Sequence, residues 1–140
     1  AGYRDAMAAA GVPVHDDLVR RTEPDVASAQ AAATVLLYGR RAPTAIVATS
    51  EEMALGSYAA ARERGLRIPR DLSVVGLDDL VAARWADPPQ TAVRRPLAEA
   101  GLLAARTLVR LVSGEAVGVR HLTLAGELVV RDSTSAPAPR

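Results

Sequence analysis

Two adjacent carboxylates, Asp78 and Asp79, end the apolar run Leu72-Ser73-Val74-Val75-Gly76-Leu77. An ionised carboxylate only accepts hydrogen bonds, so it would offer a charged acceptor to whatever fills a crevice beside it. The run before it is too short for a core helix and rich in Val, which predicts a buried strand. Ligands of open parallel sheets sit just outside the carboxyl ends of the strands, and Asp78 stands at that place. The competing role is a helix N-cap, which the residues alone favour slightly for Asp78. Asp79 reads as a first-turn or cap residue.

A second constellation, Thr49-Ser50-Glu51-Glu52, follows another short apolar run, Ala45-Ile46-Val47-Ala48. Ser50 is an N-cap candidate with two acids in the first turn, where the helix dipole favours them. Its hydroxyl is equally a candidate for a ligand, and Thr49 is a weaker one. Glu51 reads as a dipole and structural residue. Arg20 and Arg21 would suit an anion, although paired arginines are usually solvated, and Arg94 and Arg95 read as part of a crossover. His15 and His121 lack a carboxylate cluster and make poor metal ligands. Met53, Tyr58 and Ala61 recur at helical spacing, as core residues do.

Several chemistries are excluded. The chain has no Cys, so disulfides, thiol catalysis and Cys-based zinc sites are ruled out. All 17 basic residues are Arg, which removes a phosphate-loop lysine, a Schiff base and a lysine general base. No Gly-x-Ser-x-Gly elbow or plausible triad is present, so a small enzyme using Asp78 or Glu51 as acid or base is the weakest reading. The arginines are scattered among 16 acids for a net charge of +1, a poor footprint for direct nucleic-acid binding. No cofactor is expected, and no apolar run reaches bilayer length.

The elements that must position these residues follow from periodicity and punctuation. With 140 residues, 49% of them hydrophobic and only 3% aromatic, the core must be packed from Ala, Val, Leu and Ile. Residues 2–10 form helix with no N-cap before it, so a missing beginning is expected, and Gly11 and Pro13 stop it. Residues 18–21 are a short strand candidate. Helices are predicted from near Pro24 to Tyr38, with Thr22 or Glu23 before it, from Ser50 to Arg64, and from Leu80 to Trp85. Strands are predicted over residues 45–49, 72–77 and 91–95. Pro96 opens a long helix to Val112, one or two strands lie within residues 121–130, and residues 133–140 are expected to fray. The alternation predicts an α/β fold, a parallel sheet with helices on both faces.

Across nearly the whole chain, seven pieces occur in register. They are Pro43-Thr44-Ala45-Ile46, Glu52-Met53-Ala54-Leu55-Gly56, Gly65-Leu66-Arg67-Ile68-Pro69, the run from Asp71 to Asp79, Pro88-Pro89, Val93-Arg94-Arg95-Pro96, and Glu127-Leu128-Val129-Val130-Arg131-Asp132-Ser133-Thr134. Their order and spacing resemble the C-terminal part of LacI/GalR transcription regulators. The resemblance implies one lobe of a type I periplasmic-binding-protein-like fold, with residues 1–90 in the C-terminal lobe. Residues 91–117 would be a crossover strand and a helix of the other lobe, residues 118–132 the return strand, and residues 133–140 a flexible tail. Without its lobe that helix exposes an apolar stripe, Leu97, Ala100, Gly101, Ala104, Leu108 and Leu111, which must pack on another copy or fold back.

The resemblance turns the balance at Asp78 toward the effector-binding acid and adds Ser50, Thr49 and Thr22 as ligand-binding candidates. Ser50 falls where the family often has Asn, Glu51 where it has Asp, and residues 22–24 where relatives carry a stacking ring that is absent here. It also implies a dimer interface with Met53, Tyr58, Leu80, Val81 and Trp85, a sugar-like effector, and a cytoplasmic location. DNA would be contacted only through an N-terminal domain that this chain lacks, without membrane association and without catalysis. The alternative is a fragment of a periplasmic sugar-binding transport protein of the same fold.

Overall fold

The computed structural model describes residues 2–118 and 121–137. Its elements, in order, are α1 (Gly2–Ala9), a 3-10 turn (Asp16–Leu18), α2 (Val26–Tyr38), β1 (Ala45–Val47), α3 (Glu51–Glu63), β2 (Ser73–Leu77), α4 (Val81–Trp85), β3 (Thr91–Arg94), α5 (Leu97–Val112) and β4 (Glu127–Val129). The four strands form one sheet in the order β1-β2-β3-β4. β1 pairs parallel with β2 and β2 with β3, whereas β4 joins the outer edge of β3 antiparallel. The parallel prediction therefore holds for three strands and is corrected at the fourth.

Small side chains set the packing. α2 buries Ala29, Ala33 and Leu37 at four-residue spacing, and α3 buries Ala54, Gly56, Ser57, Ala60 and Ala61. With so little volume between them the helices approach until backbone meets backbone. A Cβ added at Gly56 would lie 2.6 Å from Ala29 Cβ and 2.7 Å from both Gln30 N and Val26 O. Leu37, Ile46, Leu72 and Val74 complete the core, with Met53 and Tyr58 packed against its rim. Dispersion in so close a fit compensates for the near absence of rings.

Three expectations are corrected. Residues 18–21 form no strand; the chain turns at Asp16–Leu18 and runs on unpaired, leaving β1 as the sheet edge. The α2 cap is Asp25, whose carboxylate accepts from Ser28 N at 2.9 Å, rather than Thr22 or Glu23. Ser133, expected in a frayed tail, is fully buried. Its hydroxyl accepts from Thr91 N at 2.7 Å and donates to Val74 O at 2.6 Å, and its carbonyl accepts from Val74 N. Residues 138–140 of that tail lie outside the described residues, as do residues 119 and 120 of the expected return segment. α5 follows its predicted bounds, buries no residue and does not fold back on the lobe.

Candidate functional site

The carboxyl ends of the parallel strands bring the sequence candidates to one edge. Thr49 and Ser50 follow β1, and Asp78 follows β2, its immediate neighbour. Asp78 N donates to Val93 O at 3.0 Å, which prolongs the β2–β3 ladder by one rung. Its backbone then turns left-handed, with φ 69°, a conformation that Asp tolerates better than most L residues. This turn ends the strand and turns the chain toward α4.

The Asp78 carboxylate is already engaged. Arg95, which follows β3, donates from Nε to Oδ1 at 2.5 Å and from Nη2 to Oδ2 at 2.6 Å, a two-pronged fork. The Asp78 side chain is 13% exposed and that of Arg95 is 48% exposed, so the pair sits at the solvent boundary. Hydrogen bonds from Arg95 hold the Asp78 carboxyl below its ordinary pKa, against the upward pull of burial.

Asp79 is no cap. Its side chain has no exposed surface and lies among three guanidinium groups. Arg94 donates to Oδ2 from Nε at 3.0 Å and from Nη2 at 2.6 Å. Arg131 Nη2 lies 2.7 Å from Oδ1, within ion-pair range but off the hydrogen-bonding direction, and Arg84 Nη2 stands 3.8 Å from Oδ2. Burial pushes this carboxyl up, and the hydrogen bonds from Arg94 with the nearby charge of Arg131 outweigh it, so the net shift is downward. Arg94 also reaches Glu127 across the β3–β4 pair at 3.1 Å, and Arg131 Nη1 donates to Gln90 O at 2.7 Å. One buried acid thus ties together the end of β2, the end of β3, the segment after β4, and α4.

The remaining candidates divide between local and open roles. Ser50 caps α3 by accepting from Met53 N at 3.2 Å, and Thr49 Oγ1 lies 3.2 Å from Met53 Sδ. Glu51 has a role the sequence did not disclose: its Oε1 accepts from Ala83 N at 2.9 Å and so satisfies the amino end of α4 from a neighbouring helix. Thr22, half-buried, lines a cavity of about 290 Å³ along the free edge of β1, with Thr49, Met53, Ala29, Ala33 and Ile46. That cavity is mostly apolar and includes neither Asp78 nor Ser50, so Thr22 and Thr49 are brought together there and Asp78 stands apart. Among the described residues no cluster of His, Asp and Glu is arranged to hold a metal ion, and no helix is long and apolar enough to cross a membrane.

The residues implied for an interface fall into two groups. Leu80, Val81 and Trp85 are 48%, 73% and 84% exposed, an apolar surface around α4. Met53 and Tyr58 are partly buried against this chain's own core, and the Tyr58 hydroxyl donates to Pro88 O at 2.9 Å. Sequence reasoning missed the acid–arginine pairings altogether. The signal available was the doublet Asp78-Asp79 opposite the doublet Arg94-Arg95, each at the end of a strand.

Residues 1–134 match the family model described as a periplasmic binding protein-like domain. The chain is 41% identical over 134 residues to the HTH-type transcriptional regulator DegA of Bacillus subtilis, covering 96% of this chain and 40% of that protein. It is 41% identical over 138 residues to the HTH-type transcriptional regulator MalR of Streptomyces coelicolor, covering 98% and 40%. Among solved structures it is similar to a regulatory protein of the LacI family from Chloroflexus aggregans, with TM-score 0.87, 38% identity, and 96% and 48% of the two chains covered. It is also similar to a transcriptional regulator CelR–cellobiose complex, with TM-score 0.88, 39% identity, and 94% and 40% covered. The chain spans about two fifths of the length of these curated relatives.

Proposed function

The chain belongs to the periplasmic binding protein-like domain family, in the form carried by LacI-family transcription regulators, and from that premise we propose that it is the ligand-sensing part of a DNA-binding regulator whose effector is a sugar or related polyol. Asp78 carries the reading: a carboxylate just past β2, at the carboxyl ends of the parallel strands where ligands of such sheets bind, whose two oxygens, forked by Arg95 in this structure, would take a pair of hydroxyls. The cellobiose held by one relative supports the sugar class. Ser50 and Thr49, at the end of the adjacent strand, are the next contacts, with Thr22 on the far side of β1.

The proposed mechanism is a shift between two arrangements. A ligand bound at the sheet edge favours the arrangement it binds better, because a ligand of equal affinity for both shifts nothing. An interface of the exposed Leu80, Val81 and Trp85, together with the partly buried Met53 and Tyr58, would join two copies and pass the shift to DNA-binding segments outside this chain. α5 would be covered by the other lobe. All of this takes place in the cytoplasm.

Calorimetric titration of the full-length protein with cellobiose, maltose and ribose, repeated in Asp78→Asn, tests the assignment. Asn keeps the side-chain size and accepts the left-handed backbone, so only the charge and one acceptor are lost. At least a tenfold loss of affinity for the bound sugar is expected. An unchanged binding constant removes Asp78 from the site.

A further inference from the structure

Two acid–arginine pairs stand side by side at the end of the sheet, and they differ in kind. Asp79 has no exposed side-chain surface and holds Arg94 and Arg131, with Arg84 nearby. Asp78 is at the boundary, and its one partner, Arg95, is half in solvent with no second polar partner among the described residues. A pair in that setting is weakly held by comparison, because solvent screens it and the long side chain regains freedom when released. The Asp79 pair cannot open without leaving a buried charge unmatched.

We propose that Arg95 is an internal occupant of the Asp78 site, a latch that the effector must lift from the carboxylate, and whose departure releases the crossover from β3 to α5. This rests on the reading of Asp78 as the ligand acceptor. The guanidinium fork covers both oxygens of a carboxylate that keeps only 13% of its side-chain surface exposed, so a vicinal diol approaching the same two oxygens has to displace it. Apparent affinity is then the intrinsic affinity reduced by the fraction of molecules with the latch open. A neutral polyol suits the opened site, since its hydroxyls donate to the two oxygens of Asp78.

The covalent neighbours of Arg95 decide what moves. Arg94, one residue before, is fixed to Asp79 and to Glu127. Pro96 and Leu97, directly after, begin α5, and Leu97 N donates to Arg95 O at 2.9 Å. Displacing Arg95 therefore leaves β3 in place and alters the geometry at the root of α5. Recognition of hydroxyls at the β2 edge is thereby linked to the element that leaves the sheet.

The test uses the full-length protein, calorimetry with cellobiose, maltose and ribose, and the variants Arg95→Gln, Arg95→Lys and Asp78→Asn. Arg95→Gln is expected to bind the recognised sugar about two- to fivefold more tightly, the size of an exposed ion pair no longer in competition. Arg95→Lys, which cannot fork, falls between it and the wild type. Hydrogen exchange at Leu97 is expected to rise when sugar binds the wild type and to be raised already in sugar-free Arg95→Gln. Weaker binding by Arg95→Gln would make Arg95 a direct ligand contact and overturn the latch, as would unchanged affinity. Exchange at Leu97 indifferent to sugar would overturn the link to the crossover. Normal binding by Asp78→Asn, or no sugar bound by any variant, would instead remove the underlying reading of Asp78, and the latch with it.

Discussion

Taking the charge from Asp79 leaves the guanidinium groups of Arg84, Arg94 and Arg131 facing one another around a neutral amide. Asp79→Asn is therefore expected to lower stability by roughly 3 kcal/mol, the usual cost of breaking a buried ion pair, as read by urea denaturation. The pH dependence has a definite sign. The folded-state pKa values of Asp78 and Asp79 lie below the ordinary carboxylate value, so their contribution is fully present above that value and is lost as pH falls through the folded ones. Acid unfolding should steepen below about pH 4, and more shallowly in Asp79→Asn, because one such carboxyl is gone. The place of Asp78 at the end of a strand was legible from the Val-rich run before it, but its fork with Arg95 was not. Asp79 was not, since its burial depends on Arg131, which lies beyond two further strands and a long helix, and no local pattern encodes so distant a partner.

The α2–α3 contact depends on Gly56 having no side chain. Gly56→Ala places a methyl against the backbone of Val26 and Gln30, which cannot turn aside as a side-chain tip can. A loss of about 1–3 kcal/mol is expected, seen as a lower denaturation midpoint with little change in slope. Gly65→Ala is not the same experiment, because Gly65 has open space but a positive φ of 68°. Helices and parallel strands were the legible elements, through Ser50 as a cap, Gly and Pro as stops, and Val-rich runs between them. Residues 18–21 mislead for a physical reason: Leu and Val there fit a strand, but a strand exists only when a second backbone supplies hydrogen bonds, and no pairing partner is present beside them among the described residues. Gln90 is equally silent. Its amide is fully buried, lies where a Cβ on Gly76 would be, and has no hydrogen-bond partner among the described residues.

Two apolar surfaces stand exposed on the molecule. One is the α4 region, where Val81 and Trp85 stand in solvent. In the full-length protein, Val81→Glu combined with Trp85→Glu is expected to convert a dimer to a monomer in light scattering, with the effector affinity retained; a dimer that survives the double change would place the interface elsewhere. The other is α5, along which Leu97, Leu102, Leu108, Val109, Leu111 and Val112 are 48–81% exposed. Its stripe was readable as helix from spacing alone, while no periodicity could name what covers it. A 140-residue fragment that stays monomeric with this helix fully solvated would contradict the expected pairing between copies.

The burial of Ser133 bears on synthesis. Its hydroxyl and carbonyl complete bonds to Val74 and Thr91, residues that leave the ribosome 59 and 42 positions ahead of it. A nascent polypeptide must keep those strand groups waiting, wetted by solvent, until the serine has cleared the exit tunnel. Messages cut short before its codon would yield a product with α1 to α5 all encoded and the centre of the sheet unsealed.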